Sequence, residues 1–446
     1  MKRLIVATLS GLMFSTVWAD STLTVTPLTL PVGNDNAYLN VINDMPSNGV
    51  YIALTQAKDG AGQPALVSAL YHSSDDKQWT TDMAYGNNTT GVITGMVNQG
   101  GSLYFSSINL SSLDHPGSIS VLQGATGALQ IYHAPQAVWN LWLPPTVTSS
   151  TLVSTSIAAP VTLVSTGPQG YMSAQISGNA PLSYGNPQQW CAYGKPFPAM
   201  TMIWPILDNQ STGAVAVVDC PQGPNQFPIS LVSIDTTGNV NALTPHINQP
   251  YPNAGFDFGL LFGINQDNTN YLAASNEADG NTTDVIAILP NGSGSSGLFA
   301  STTTYIGKLW NPVPIPATAN NGTMPALMDS LHYGAVQAGI NVVMPMSIIA
   351  LPQPQTYALV FCSHNSYLAD CYVQEAQITF SLTNGWVYTP LSGQAPLLQS
   401  KSLVWAQSMK LSVAQEASGT ALYVGVNTGI PQYGEYHPLL YKVTGF

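Results

Sequence analysis

The sequence predicts an all-β chain folded as a β-propeller, most simply with seven four-stranded blades. Three observations predict it. A short β-branched and aromatic strand, a polar loop, a second strand, a Gly/Asn turn and a third strand recur along the chain. The recurrence is spaced at roughly 52 to 58 residues over the first five copies, a propeller-type period. The last copy runs out at Phe446 before its outer strand, while "STLTVTPLTL" at 21–30 reads as a strand with no hairpin partner nearby. Rings of six or eight blades, or a β-sandwich, are the competing architectures.

The first residues read as an address. Met1-Lys2-Arg3 is basic, Leu4 to about Val17 is apolar, and Val17-Trp18-Ala19 offers small residues at the positions a signal peptidase reads. The expected division is therefore a signal peptide at 1–19 and a single propeller domain over 20–446. The expected location is an exported one, a bacterial periplasm or the extracellular space. No later segment reaches eighteen uninterrupted apolar residues, so no transmembrane segment is expected.

Each repeat then justifies itself in turn. The recurring strand appears as Val50–Gln56, Leu103–Ser107, Val161–Ser165, Ala214–Val218, Tyr271–Ser275, Tyr357–Phe361 and Leu422–Val426. Its partner comes next at Ala65–His72, Ser118–Gln123, Tyr171–Ser177, Ile229–Asp235, Asp284–Leu289, Tyr372–Phe380 and Leu439–Thr444. An apolar run precedes it, as at Ala37–Asn43, Thr90–Val97, Met200–Leu207, Phe258–Ile264 and Leu403–Leu411. Turns such as "TTGN", "PNGSG" and "TNGW" supply the positive φ that tight hairpins need. In the third unit two runs compete for the innermost strand. An insertion at about 308–350 interrupts the pattern, and "TMPALMDSLHYGAVQAG" within it carries helix start and stop signals, giving a short helix near 324–338. Ser21–Leu30 is expected to supply the missing outer strand of the last blade, because a closed ring leaves no unpaired sheet edge.

The strand "LYVGVN" at 422–427, with a second strand after it, resembles the YVTN-type and lactonase-like seven-bladed propellers. The resemblance implies the architecture. The lactonase-like enzymes are associated with a charged site that includes arginine; once a leader is removed this chain has none, since Arg3 is its only arginine. No catalytic residue carries over.

Composition excludes several partners. The net charge is −12, and charged residues make up 7% of the chain against a usual value of about 25%. Without arginine's planar fork, nucleic acid and phosphorylated ligands are poor candidates. Cys191, Cys220, Cys362 and Cys371 form an even set in an exported chain, which favours two disulfides. Of the three pairings, Cys191–Cys220 and Cys362–Cys371 are preferred because each would staple a loop.

In a propeller, the loops joining the middle two strands of a blade share one face with the joins between blades. Here those loops are "AKDGAGQP", "NLSSLDHPG", "PQGPNQFP", "NEADGNTTD", "SHNSYLAD" and "NTGIPQYGEYHP". They place Tyr433, Tyr436 and His115 on that face, and the insertion adds Trp310 and His332, all candidate binding residues. His437 with Glu435, or His364 with Asp370, would be the acid–base groups of an enzyme. Glu277, Asp279 and Asp284 give calcium a weak candidate site, short of the full loop pattern; otherwise no cofactor is expected. The leading expectation is an exported, non-enzymatic scaffold binding a protein or glycan through its loop face. Its rivals are a hydrolase or lyase acting on a neutral substrate in the central channel, and a structural part of an envelope or secretion assembly.

Overall fold

In the computed structural model, residues 22–142 and 342–446 are described with short interruptions, and between them the strands alone. Side chains are described in much of 22–138 and 348–446. The described chain is β throughout. β1 (Thr24–Leu28) does not pair with the strand that follows it in sequence. One group is β2 (Ala37–Met45), β3 (Gly49–Lys58), β4 (Pro64–Ser73) and β5 (Thr80–Ala84); the next is β6 (Gly91–Gln99), β7 (Ser102–Asn109), β8 (Gly117–Gln123) and β9 (Leu129–Ala134). A single parallel pair, Val67 with Gly91, joins these two groups into one sheet. Then come β10 (Asn140–Trp142), β11 (Val161–Gly167), β12 (Gly170–Ile176) and β13 (Ser183–Tyr184), and after them β14 (Met202–Trp204), β15 (Gly213–Asp219), β16 (Ile229–Asp235) and β17 (Val240–Ala242). β18 (Phe258–Gln266), β19 (Thr269–Asn276), β20 (Thr282–Ile288) and β21 (Thr303–Lys308) form another sheet. β22 (Val342–Ala350), β23 (Thr356–Asn365), β24 (Leu368–Ser381) and β25 (Gly385–Pro390) form the next, with β26 (Ala395–Gln399) also on β24. The last is β27 (Trp405–Glu416), β28 (Gly419–Ile430) and β29 (Glu435–Thr444).

The leading strands of these groups lie side by side. β22 runs next to β27, β27 next to β2, β2 next to β6 and β6 next to β10; β14 adjoins β18, and β18 adjoins β22. Four-stranded antiparallel sheets sharing a common inner edge make a β-propeller. The last sheet is completed by the start of the chain. β1 pairs antiparallel with β29 from Thr24 opposite Thr444 to Leu28 opposite Leu440, as the unpaired run at 21–30 predicts.

The core sits between successive sheets. On β28, Leu422, Val424 and Val426 pack toward the β22–β25 sheet with Val360, Val373 and Leu351. The alternate residues Ala421 and Tyr423 pack toward β2 and β3, with Leu39, Ile52 and Leu54. Period-2 alternation thus serves two cores at once, because each sheet is buried on both faces.

Three sequence readings are refined. In the third unit, Asn140–Trp142 takes the inner position, pairing β11. Val342–Ala350, assigned to the insertion, is the inner strand beside β23; the helix expected near 324–338 lies outside the described residues. The loops "SHNSYLAD" and "NTGIPQYGEYHP" are mostly strand, since β23 and β24 extend to Asn365 and from Leu368, and β28 and β29 to Ile430 and from Glu435. Among the described residues, no helix is long and apolar enough to cross a membrane.

Candidate functional site

The face of the last sheet that meets the first is built in rows. Antiparallel partners project to the same side, so one row runs Lys410, Gly425, Leu440, Leu28 and the next runs Ser412, Tyr423, Lys442, Thr26. Gly425 admits its neighbours: a Cβ there would lie 2.7 Å from Leu39 Cδ2 and 2.8 Å from Ile42 Cδ1. Two residues on, Asn427 is fully buried. Its Nδ2 donates to the Leu39 carbonyl at 2.8 Å, and its Oδ1 accepts from the Leu39 N–H at 2.7 Å. The asparagine of "LYVGVN" is therefore a clamp between the last and first sheets.

The second row ends in an ionic cluster. Lys442 Nζ lies 2.6 Å from Asp76 Oδ2 and 2.6 Å from Glu416 Oε1. The Tyr423 hydroxyl donates to Asp76 Oδ1 at 2.8 Å and lies 3.2 Å from Glu416 Oε1. Asp76 reaches this position from the turn between β4 and β5, at a φ of 62°. The Asp75 carboxylate fixes that turn by accepting the N–H groups of Lys77 and Gln78 at 2.9 Å each, and those bonds hold its carboxyl below the ordinary range. Asp44, at the end of β2, donates its own N–H to Ser412 Oγ at 2.9 Å. Burial, then the Glu416 and Asp76 carboxylates, push the Asp44 carboxyl up to about 6, against the opposing pull of Lys442. Burial and the same two carboxylates raise Tyr423. Burial works against the Lys442 ammonium, yet its bonds to Asp76 and Glu416 hold it above the ordinary lysine range.

This cluster lies at the end of the strands that bears the β4–β5 and β27–β28 turns, the opposite end from Glu435 and His437. Sequence reasoning missed it because its members come from both ends of the chain. The only local signal is "SSDDKQW", a turn dense in charge on a chain that has little. A second pair lies on the first sheet: His72 Nδ1 and Asp82 Oδ2 are 2.7 Å apart, with the Tyr51 ring stacked on the imidazole at 5.3 Å. Burial raises the Asp82 carboxyl, and the bond to His72 opposes it.

Several sequence candidates fall on strands. His437 sits in β29 opposite Thr428, and its backbone carbonyl accepts from Thr428 Oγ1 at 2.9 Å. Glu435 and Tyr436 lie on the same strand, opposite Ile430 and Gly429. His364 and Asp370 take neighbouring register positions, opposite Ala369 and Ser363. Cys362 and Cys371 are directly opposed across β23 and β24. Asp284 lies in β20 opposite Ala274. Tyr433, Trp310, His332, His115, Glu277, Asp279, Cys191 and Cys220 lie outside the described residues. Among the described residues, no three His, Cys, Asp or Glu side chains are placed to hold a metal.

No family model and no curated protein matches the sequence. Solved structures similar to this chain include the phage phi92 endosialidase, at 11% identity and a TM-score of 0.41, covering 95% of this chain and 69% of that one. The β-propeller domain of the trilobed protease from Pyrococcus furiosus is similar at 9% identity and a TM-score of 0.41, covering 92% and 94%. A thermostable family-43 glycoside hydrolase is similar at 11% identity and a TM-score of 0.31, covering 64% and 86%. No residue role is taken from them, and the chain is described by its fold, a β-propeller closed by its own first strand.

Proposed function

We propose that this chain is an exported, seven-bladed propeller that binds a protein or glycan partner through its loop-bearing face. The count comes from reading the eight-stranded sheet as two blades held by one parallel pair. The observation that carries the functional reading is the difference between the two faces. At one face the ends of paired strands stand close in sequence, Gln99 to Ser102, Gln266 to Thr269 and Glu416 to Gly419, and the ionic cluster that ties the last blade to the first lies there. At the other face the strand ends stand farther apart in sequence, Lys58 to Pro64, Asn109 to Gly117 and Asp219 to Ile229. Rigid rings with variable segments on one face place binding residues there. The directly opposed Cys362 and Cys371 support a disulfide across that end of their hairpin, since paired strand positions fall within disulfide reach. Aromatic residues dominate such contacts. Replacing Tyr433, Tyr436 and Trp310 together by alanine is expected to abolish partner capture from an envelope or secreted extract while leaving the melting temperature unchanged. Capture of the same partners by the triple variant would overturn the reading; turnover of a glycan or lactone lost on His437→Ala would favour the enzyme instead.

A further inference from the structure

The closing strand is held from the first blade as well as by its own sheet. The turn between β4 and β5 grips the join at two points. Asp76 takes the Lys442 ammonium at 2.6 Å, on β29 directly opposite Thr26 of β1. Trp79 donates its Nε1 hydrogen to the Thr29 carbonyl at 2.6 Å, one residue past β1. Its ring packs against the core that holds Leu30 and Leu440. Between these hooks the Asp75 carboxylate braces the turn, with Asp76 itself at a φ of 62°. That conformation is costly for a residue with a Cβ, so the turn gains by letting Asp76 go once its ion pair weakens.

We propose that this turn is a pH-sensitive clasp on the closing strand, gripping while Asp44 is neutral and loosening when Asp44 ionises. The charges around Asp44 support this. Its N–H is bonded to Ser412 Oγ of β27, its carbonyl to Asn98 Nδ2 of β6, and its cross-strand partner on β3 is Val50. The charged and titratable groups around it are Glu416 at the end of β27, Lys442 on β29, Asp76 on the turn, and Tyr423 of β28 bonded to Asp76. Asp75 and Lys77 flank Asp76 but are exposed, where solvent screens them. With Asp44 neutral, Lys442 is shared by two carboxylates. Ionised Asp44 adds a third to a half-buried seam, where repulsion is poorly screened. Asp44 and Glu416 are fixed at strand ends, whereas Asp76 stands on a turn, so Asp76 is the carboxylate that can leave. Burial and these neighbours raise the Asp44 carboxyl from 3.8 to about 6. Its contribution to the grip is therefore fully present below about 3.8 and is lost as pH rises through about 6.

Hydrogen exchange of the full chain at pH 5 and pH 8, corrected for the intrinsic effect of pH on the rate, tests this. Amides of residues 23–31 and 74–80 are expected to be protected several-fold less at pH 8, while those of 103–108 in β7 keep their protection. Asp44→Asn, which cannot ionise, is expected to hold the pH 5 protection at both values. Equal protection of the first two segments at both pH values would overturn the proposal. So would a pH effect that survives in Asp44→Asn, or one that spreads equally to β7.

Discussion

Asn427 illustrates how a single side chain can join two sheets. Its carboxamide matches the N–H and C=O of one residue, Leu39, as a neighbouring strand would. Asn427→Ala leaves both groups buried and unsatisfied, and is expected to cost about 2–4 kcal/mol in denaturant unfolding. Gly49 is fixed differently: its φ is +91°, and a Cβ would fall 2.1 Å from the Ser73 carbonyl oxygen. Gly49→Ala should therefore cost about 2–3 kcal/mol by the same measurement. Asp44 sets a pH dependence. Its carboxyl stands at about 6 against 3.8 as the ordinary value, so between these the folded state holds the proton more tightly than the unfolded one. Stability from this group is thus fully present below about 3.8 and is lost as pH rises through about 6. Asp44→Asn should match the parent at pH 4 and exceed it by about 1–2 kcal/mol at pH 7, the figure being discounted for a half-buried group. Thermal unfolding at both pH values checks this.

The inner strands share a feature that no residue pattern announces. β2, β6, β18, β22 and β27 each contain a register shift against the strand behind them. In β2 the extra residue is Asn40, whose Nδ2 donates to the Ile93 carbonyl at 2.7 Å. In β6 it is Thr94, whose hydroxyl donates to the Val138 carbonyl at 2.6 Å. A bulge turns a side chain out of the alternation, and here it reaches the next blade. The strands themselves were legible, because each middle strand is a run of β-branched and aromatic residues bounded by turn signals. The bulges were not, since Asn40 and Thr94 differ in type and only their position in the ladder is alike. Strand ends were misjudged where polar residues continue a hairpin, as at His364 and His437: backbone pairing extends past the point at which the hydrophobic pattern stops.

At the scale of the molecule, closure was legible because an unpaired strand at one end answered a missing strand at the other. The ionic cluster was not, since Asp76 and Lys442 meet only once the ring is shut. Removing residues 22–30 should leave the β29 edge bare. The truncated chain is expected to self-associate on size-exclusion chromatography and to melt well below the parent, because exposed strand edges pair with other chains. The pairing of Thr24–Leu28 with Leu440–Thr444 also bears on the order of assembly. During synthesis the early segment has nothing to bind until its distant partner emerges from the ribosome. A product cut short anywhere between the two would keep that segment dangling, so the fold inspects its own completeness.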